Sequence, residues 1–132
     1  MKLLVTGGAG YIGSHVVKAA LAAGHSCVVV DNLSTGLAKR IDCPKLELEL
    51  ASEQAVSQLV KLMREHNFDS VIHLAARKQV GESVQKPEEY FLENLGGLAN
   101  LLLAMREVGL KSLVFSSSAA TYGMPDVDAV TE

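Results

Sequence analysis

The chain has 132 residues, of which 48% are hydrophobic and 20% charged, with 12 Lys plus Arg against 15 Asp plus Glu and a formal net charge of −3. That length and usage fit one globular domain, or one compact piece of a larger one, and exclude a disordered, collagen-like or mucin-like chain. No basic excess is available to neutralise phosphates, so no nucleic-acid partner is expected.

Leu3-Leu4-Val5 is a short apolar run that stops at a glycine cluster. Ile12, Val16, Ala19 and Ala23 then recur at helical spacing, and Gly24 stands where a helix ends. Cys27-Val28-Val29-Val30 is β-branched and apolar on both faces, which predicts a strand of a parallel sheet covered on both sides. Cys27 and Cys43 have no metal spacing and form no disulfide framework, so a buried thiol and a reducing, cytoplasmic setting are expected. The longest uncharged stretch, 19–30, is broken by Gly24 and His25, so no membrane span is expected. The first residues are too short in apolar length for a signal peptide.

After an irregular segment over 32–44, Leu46-Glu47-Leu48-Glu49-Leu50 alternates strictly and predicts an edge strand with Glu47 and Glu49 outward. Ser52 is the expected N-cap of a helix that buries Val56, Leu59, Val60 and Met63. Val71-Ile72-His73-Leu74 reads as a fourth strand, with His73 a hydrogen-bonded core residue, and 75–86 reads as a loop. Pro87 suits the first helical position and Glu88 and Glu89 suit the positive end of the dipole, so one helix is expected from Pro87 to Val108, stopped by Gly109. Leu113-Val114-Phe115 is a fifth strand followed by Ser116-Ser117-Ser118. Strand–helix alternation with short connections predicts an α/β, doubly wound parallel sheet of the Rossmann type. About five strands are expected, in the order 3-2-1-4-5.

Ligands of such sheets bind beyond the carboxyl ends of the strands, and nearly every unusual residue lies there. Gly7, Gly10 and Gly13 give G-x-x-G-x-x-G directly between a strand and a helix. That pattern serves a tight turn, backbone approach to a pyrophosphate and close helix packing. Asp31 ends the second strand, where a carboxylate accepts hydrogen bonds from the adenosine ribose hydroxyls and repels a 2′-phosphate; NAD is therefore expected rather than NADP. Arg77 and Lys78 place cations in the loop after the fourth strand. Asn94 precedes two interior helix glycines, Gly96 and Gly97, which mark a close approach by a backbone or a ligand. Ser116 and Ser118 put hydroxyls at the end of the fifth strand. No His or Cys partner stands at metal spacing, so no metal is assigned.

These residues resemble the extended short-chain dehydrogenase/reductase superfamily and, within it, the UDP-glucose 4-epimerases. The resemblance is carried by Thr6–Gly13 with Ser14-His15, Asp31–Ser34, His73–Val84, Asn94–Gly97 and Phe115–Gly123. It implies NAD as cofactor and transient hydride abstraction at C4 of a UDP-sugar, through a 4-keto sugar, with the hydride returned to the other face. It implies that Ser118 hydrogen-bonds the reacting hydroxyl, and that Tyr11, Ile12, Asp31, Asn32, Leu74, Ala75, Ala76, Lys78 and Asn94 contact the cofactor. Gly7, Gly10, Gly13, Leu33, Ser34, Thr35, Gly36, Glu49, Leu50 and Ser116 complete the expected cofactor-binding set. A homodimer is the expected assembly.

Two departures stand out. The family carries Gly-Asp-Leu or Gly-Asp-Ile after the third strand, with the Asp on adenine, and here the residues are Leu48-Glu49-Leu50. The family also uses a Tyr as acid/base with a Lys four residues on. Here Tyr11, Tyr90 and Tyr122 are followed at that spacing by His15, Asn94 and Asp126. The resemblance therefore implies residues 1–132 as an incomplete NAD-binding Rossmann domain, without the sugar-nucleotide domain, and inactive alone. A sugar-nucleotide 4,6-dehydratase is the alternative enzyme, disfavoured because Ala119 and Ala120 stand where those enzymes place an Asp-Glu pair. A non-catalytic NAD-sensing module is the alternative from another class.

Overall fold

The computed structural model describes residues 1–118, 121 and 123; Ala119, Ala120, Tyr122 and Asp126, which carried parts of the sequence reading, lie outside the described residues. Strands β1 (Lys2–Thr6), β2 (Ser26–Asp31), β3 (Lys45–Glu47), β4 (Ser70–His73) and β5 (Leu113–Phe115) form one sheet in the order β3-β2-β1-β4-β5. Every pairing is parallel, with Leu4 opposite Val28 and Val71, Val30 opposite Leu46 and Ile72 opposite Val114. The expected architecture and strand order are therefore present.

Helices α1 (Tyr11–Ala22), α2 (Ala55–His66) and α5 (Gly97–Val108) cover the sheet. Period-two alternation splits the core into two layers. Leu4, Val28, Val30 and Val71 pack with Leu59 and Met63 of α2 and Leu101 and Met105 of α5. Leu3, Val5, Cys27 and Val29 pack with Val17 of α1 and with Ile41. Each of these fully buried aliphatic side chains contributes about 1.5–3 kcal/mol. Gly24 and Gly109 follow α1 and α5 with left-handed φ of 79° and 76°. No helix among the described residues is long and apolar enough to cross a membrane.

Four local expectations are corrected. The buried face of α1 is Gly13, Ser14 and Val17, with Ala20 and Leu21 partly buried, while Ile12 is 56% exposed and Ala19 faces solvent. An apolar helix carries several equally good stripes, and the contact of Gly13 with the preceding loop selects this one. Regular pairing in β3 ends at Glu47, although Leu48 and Leu50 stay buried, because the chain turns there; the Ser52 N–H donates to the Glu49 carbonyl at 3.1 Å. Ser52 does not cap α2. Gln54 holds that position without a side-chain cap, and the Ser52 hydroxyl is buried with no hydrogen-bond partner in the structure. The expected 75–86 loop contains a short helix, α3 (Val80–Gln85).

The expected long helix after Pro87 is also more structured than its sequence pattern. It begins as α4 (Pro87–Phe91), with Pro87 in its first turn and Glu88 and Glu89 beside it as expected, passes through a π-helical turn at Leu92–Gly96, and continues as α5.

Candidate cofactor site

The stretch from the end of β1 into the first turn of α1 uses the three glycines of the motif for different reasons. Gly7 takes a φ of +70°, and a Cβ there would stand 2.6 Å from the Ala75 nitrogen, so the turn passes directly against the exit of β4. A Cβ on Gly13 would overlap the Gly7 carbonyl oxygen and lie 2.7 Å from the Gly8 Cα, so this glycine lets α1 close onto its own loop. Gly10 differs. Its backbone is extended at φ −68°, ψ 176°, and an added Cβ would meet only the Gly7 carbonyl oxygen, at 3.3 Å. The protein itself makes little demand for glycine at position 10; an approaching ligand would.

Gly10 is also the N-cap of α1, which has no side-chain cap and no acidic residue in its first turn. The backbone donors of Tyr11, Ile12 and Gly13 thus lack a side-chain acceptor, and the positive end of the dipole is uncompensated. An anion is the natural complement of such a terminus. Tyr11 and Ile12 are the exposed residues at this rim.

Asp31 ends β2 beside the same loop. Its Oδ2 accepts from the Ala9 N–H at 2.9 Å and its Oδ1 from the Leu33 N–H at 2.9 Å. A carboxylate oxygen accepts more than one hydrogen bond, so each retains capacity for a ribose hydroxyl. The Asn32–Gly36 loop folds back onto the glycine loop: the Leu37 N–H donates to the Ala9 carbonyl at 3.0 Å, and a Cβ on Gly36 would stand 2.7 Å from that of Ala9. Leu33 is held at φ 57°, a conformation that costs a non-glycine residue about 1–3 kcal/mol and persists only where its surroundings enforce it. Ser34 and Thr35 are exposed in this loop.

Glu49 leans toward β2. Its Oε2 accepts from Asn32 Nδ2 at 2.6 Å and its Oε1 from the Ala51 N–H at 3.2 Å. Asn32 Oδ1 accepts from both the Ser34 N–H at 3.0 Å and the Ser34 hydroxyl at 2.7 Å. The Leu50 side chain does not reach the rim: it is buried in the α2–α5 layer, and a Cβ on Gly97 would lie 3.1 Å from its Cβ. Packing thereby explains Gly97, whereas a Cβ on Gly96 would meet only Ala51 at 3.9 Å.

At the exit of β4, Leu74 and Ala75 are partly buried while Ala76 and Lys78 are exposed. Asn94, projecting from the π-helical turn, clamps the backbone of this loop, accepting from the Arg77 N–H at 2.8 Å and donating to the Arg77 carbonyl at 3.1 Å. The Arg77 side chain reaches Glu93 at 2.6 Å, Glu89 at 3.1 Å and Glu82 at 3.5 Å, and its guanidinium carbon lies 5.7 Å from the Tyr90 ring centre. Arg77 is therefore committed to α3, α4 and the π turn, leaving Lys78 as the exposed cation of the pair.

The Tyr90 hydroxyl donates to Glu82 Oε2 at 2.7 Å and accepts from the Gln79 N–H at 3.2 Å. Burial, and then the donation to Glu82, push this phenol above its ordinary value, the opposite of what an acid/base tyrosine needs. No motif in the sequence announces this cluster. Glu89 and Glu93 at helical spacing, four apart, were its only local signal.

His73 lies beneath the rim, 3% exposed, with Nδ1 in a 2.7 Å hydrogen bond to the Thr6 hydroxyl and its ring stacked 5.8 Å from Phe115. Burial holds its pKa below the usual histidine value. It is the core histidine expected. The Ser116 N–H donates to the His73 carbonyl at 3.1 Å, extending the β4–β5 ladder, and Ser118 follows, exposed, at the same end of the sheet. The rim thus gathers the glycine loop, Asp31, the Asn32–Gly36 loop, Glu49, Ala76, Lys78 and the two serines.

A nucleotide-binding α/β domain is what this arrangement defines, and residues 3–132 match the model of the NAD dependent epimerase/dehydratase family. The chain belongs to that family. It is 46% identical over 132 residues to the UDP-glucose 4-epimerase of Corynebacterium glutamicum, covering all of this chain and 39% of that protein. The UDP-glucose 4-epimerase of Stenotrophomonas maltophila, crystallised with NAD and formylated UDP-arabinopyranose, superposes with a TM-score of 0.91. It is 40% identical, covering 98% of this chain and 40% of the other. The Thermus thermophilus UDP-glucose 4-epimerase complexed with NAD gives a TM-score of 0.90 at 39% identity, covering 100% of this chain and 43% of that one. The chain spans about two fifths of the length of these relatives.

Proposed function

We propose that residues 1–132 are an NAD-binding domain and form the NAD-binding portion of a UDP-glucose/UDP-galactose 4-epimerase. The observation that carries the reading is the uncapped α1 terminus at Gly10, open on its ligand side, with the Asp31 carboxylate on the same rim. These residues fit NAD. The amides of Tyr11, Ile12 and Gly13 suit its pyrophosphate, Asp31 its adenosine ribose, Ala76 and Lys78 the nicotinamide half, and Gly7, Leu33–Gly36, Leu74, Ala75, Asn94 and Ser116 shape the surrounding walls. Leu50 contributes through the core packing that seats the rim.

NAD, when bound, supplies reversible hydride acceptance. The chain's own part is to hold it at the sheet rim and to offer the Ser118 hydroxyl to the reacting hydroxyl of a UDP-sugar. None of the three tyrosines has a Lys four residues on, and on this reading the chain by itself does not complete the reaction. A second copy is the proposed protein partner, supported by a row of exposed apolar residues along the π-containing helix: Phe91, 65% exposed, with Leu92, Leu95, Leu102 and Leu103. The free thiols of Cys27 and Cys43 support a cytoplasmic setting.

Calorimetric titration of the purified chain with NAD and NADP tests the reading. Binding of NAD at least about tenfold tighter than NADP is expected, since the Asp31 charge disfavours a second phosphate nearby. Equal or tighter binding of NADP removes Asp31 from its role, and no binding of either removes the function.

A further inference from the structure

Glu49 stands where the superfamily resemblance puts a shorter acid on the adenine base, yet its hydrogen bonds run elsewhere. Its carboxylate is turned to the protein's own donors, Asn32 Nδ2 at 2.6 Å and the Ala51 N–H at 3.2 Å, which fix where its two oxygens lie. Asn32 passes the connection on, its Oδ1 receiving the Ser34 N–H at 3.0 Å and the Ser34 hydroxyl at 2.7 Å. The result is a relay from the end of β3, across to the end of β2, into the loop that follows. Leu33 lies inside that relay at φ 57°, with its N–H held by Asp31 Oδ1 at 2.9 Å. Asp31 secures the strained residue from one side; Asn32 and Ser34 secure it from the other, and Glu49 anchors Asn32. An aspartate in place of Glu49 is one methylene, about 1.5 Å, too short to span the same gap.

We propose that Glu49 is a positioning residue that sets the Asn32–Gly36 wall of the cofactor site through Asn32, and does not itself read the adenine base. The proposal rests on the NAD reading of the rim. It separates cleanly from direct base contact. A carboxylate bound to adenine accepts from the exocyclic amino group, whereas a residue acting through Asn32 is blind to that group.

The test compares NAD with nicotinamide hypoxanthine dinucleotide, in which a carbonyl oxygen replaces the amino group, on the wild-type chain, Glu49→Ala and Glu49→Gln. Glu49→Ala should weaken both dinucleotides by the same factor, about tenfold, the loss expected for one hydrogen bond to a charged group, and leave their affinity ratio as in the wild type. Glu49→Gln keeps an acceptor for Asn32 and should return both affinities to within about threefold of wild type. A second readout needs no dinucleotide: the Asn32 side-chain amide resonances of the free chain, followed by nitrogen-15 NMR, should move in Glu49→Ala and stay near their wild-type position in Glu49→Gln. Collapse of the affinity ratio in Glu49→Ala would overturn the proposal in favour of direct base contact. Unmoved Asn32 resonances would overturn it as well. If the wild-type chain binds neither dinucleotide, the NAD reading fails, and the resonances still decide whether Glu49 holds Asn32.

Discussion

Gly10, the N-cap of α1, and Gly13, in its first turn, sit three residues apart and should fail in opposite ways. At Gly13 an added methyl meets backbone, with the Gly8 Cα at 2.7 Å and the Gly7 oxygen closer still. Neither atom can move without displacing the glycine loop, so Gly13→Ala should cost about 3 kcal/mol, the upper end of the usual overpacking range and a large fraction of the roughly 5–15 kcal/mol that holds a domain together. At Gly10 only the Gly7 oxygen lies near, at 3.3 Å, and φ −68° suits any residue. The cost of Gly10→Val is then mainly a poorer N-cap, about 1 kcal/mol.

The ligand side is where Gly10→Val should be severe. Keeping a pyrophosphate away from the uncapped α1 terminus forfeits an amide hydrogen bond to a charged oxygen, about 1.5–3 kcal/mol, and the dipole contribution, up to about 2 kcal/mol. The sum, about 2–5 kcal/mol, corresponds to about a thirtyfold to several-thousandfold loss of NAD affinity. Denaturant unfolding followed by circular dichroism, with calorimetric NAD titration of whatever remains folded, checks both halves. A Gly10→Val chain that binds NAD within about threefold of wild type would refute the assignment of this terminus to a phosphate. A Gly13→Ala chain as stable as wild type would refute the packing account.

Protonation of buried His73 gives a pH signature. Its folded-state pKa lies below the ordinary 6.5, so the unfolded chain takes up the proton first; stability is full above that value and falls as pH drops through it toward the folded-state pKa. Melting temperatures of wild type and His73→Asn across about pH 7.5 to 5.5 should diverge in slope, the wild type losing more on acidification; parallel curves would sink the assignment. The two helix glycines should separate by contact. Gly97→Val meets Leu50 at 3.1 Å and should cost about 1–3 kcal/mol in denaturant unfolding, whereas Gly96→Ala, with only Ala51 at 3.9 Å, should be neutral or stabilising by up to about 1 kcal/mol. The chain supplied with NAD and UDP-galactose should form no UDP-glucose in a coupled assay, because a serine hydroxyl is a poor base near neutral pH; measurable turnover contradicts the proposed division of labour.

The sheet was legible because four strands hold compact, largely apolar runs and β3 a strict apolar–acidic alternation, and parallel connections leave few topologies. The candidate site was legible for the same reason: the carboxyl ends of the strands collect it. What escaped depended on tertiary choice. Nothing in an apolar helix told which stripe of α1 would face inward; the contact of Gly13 with Gly7 and Gly8 decided it. Val80–Gln85 looked like loop because its apolar residues, Val80 and Val84, remain exposed in the short helix α3. Ser52 had the right chemistry for a cap, but the turn at Glu49 carried the chain past the place where it could serve. Arg77 read only as one of two loop cations, because the three acids that claim it are separated in sequence and brought together by the fold.

The π-helical turn at Leu92–Gly96 has a consequence for how this helix tolerates change. One extra residue in a turn rotates everything after it by about 100° relative to everything before it. The segment ahead of the turn is aligned to the Arg77 loop, through Glu89 and Tyr90, and the segment behind it to the sheet, through Gly97, Leu101 and Met105. The helix works as two keys cut on one shaft, each angled for its own lock. A single-residue deletion inside 92–96 would straighten the shaft into an ordinary α-helix and leave one key or the other facing the wrong way. Point substitutions on either segment keep the angle, so this stretch should accept changes of side chain far more readily than changes of length.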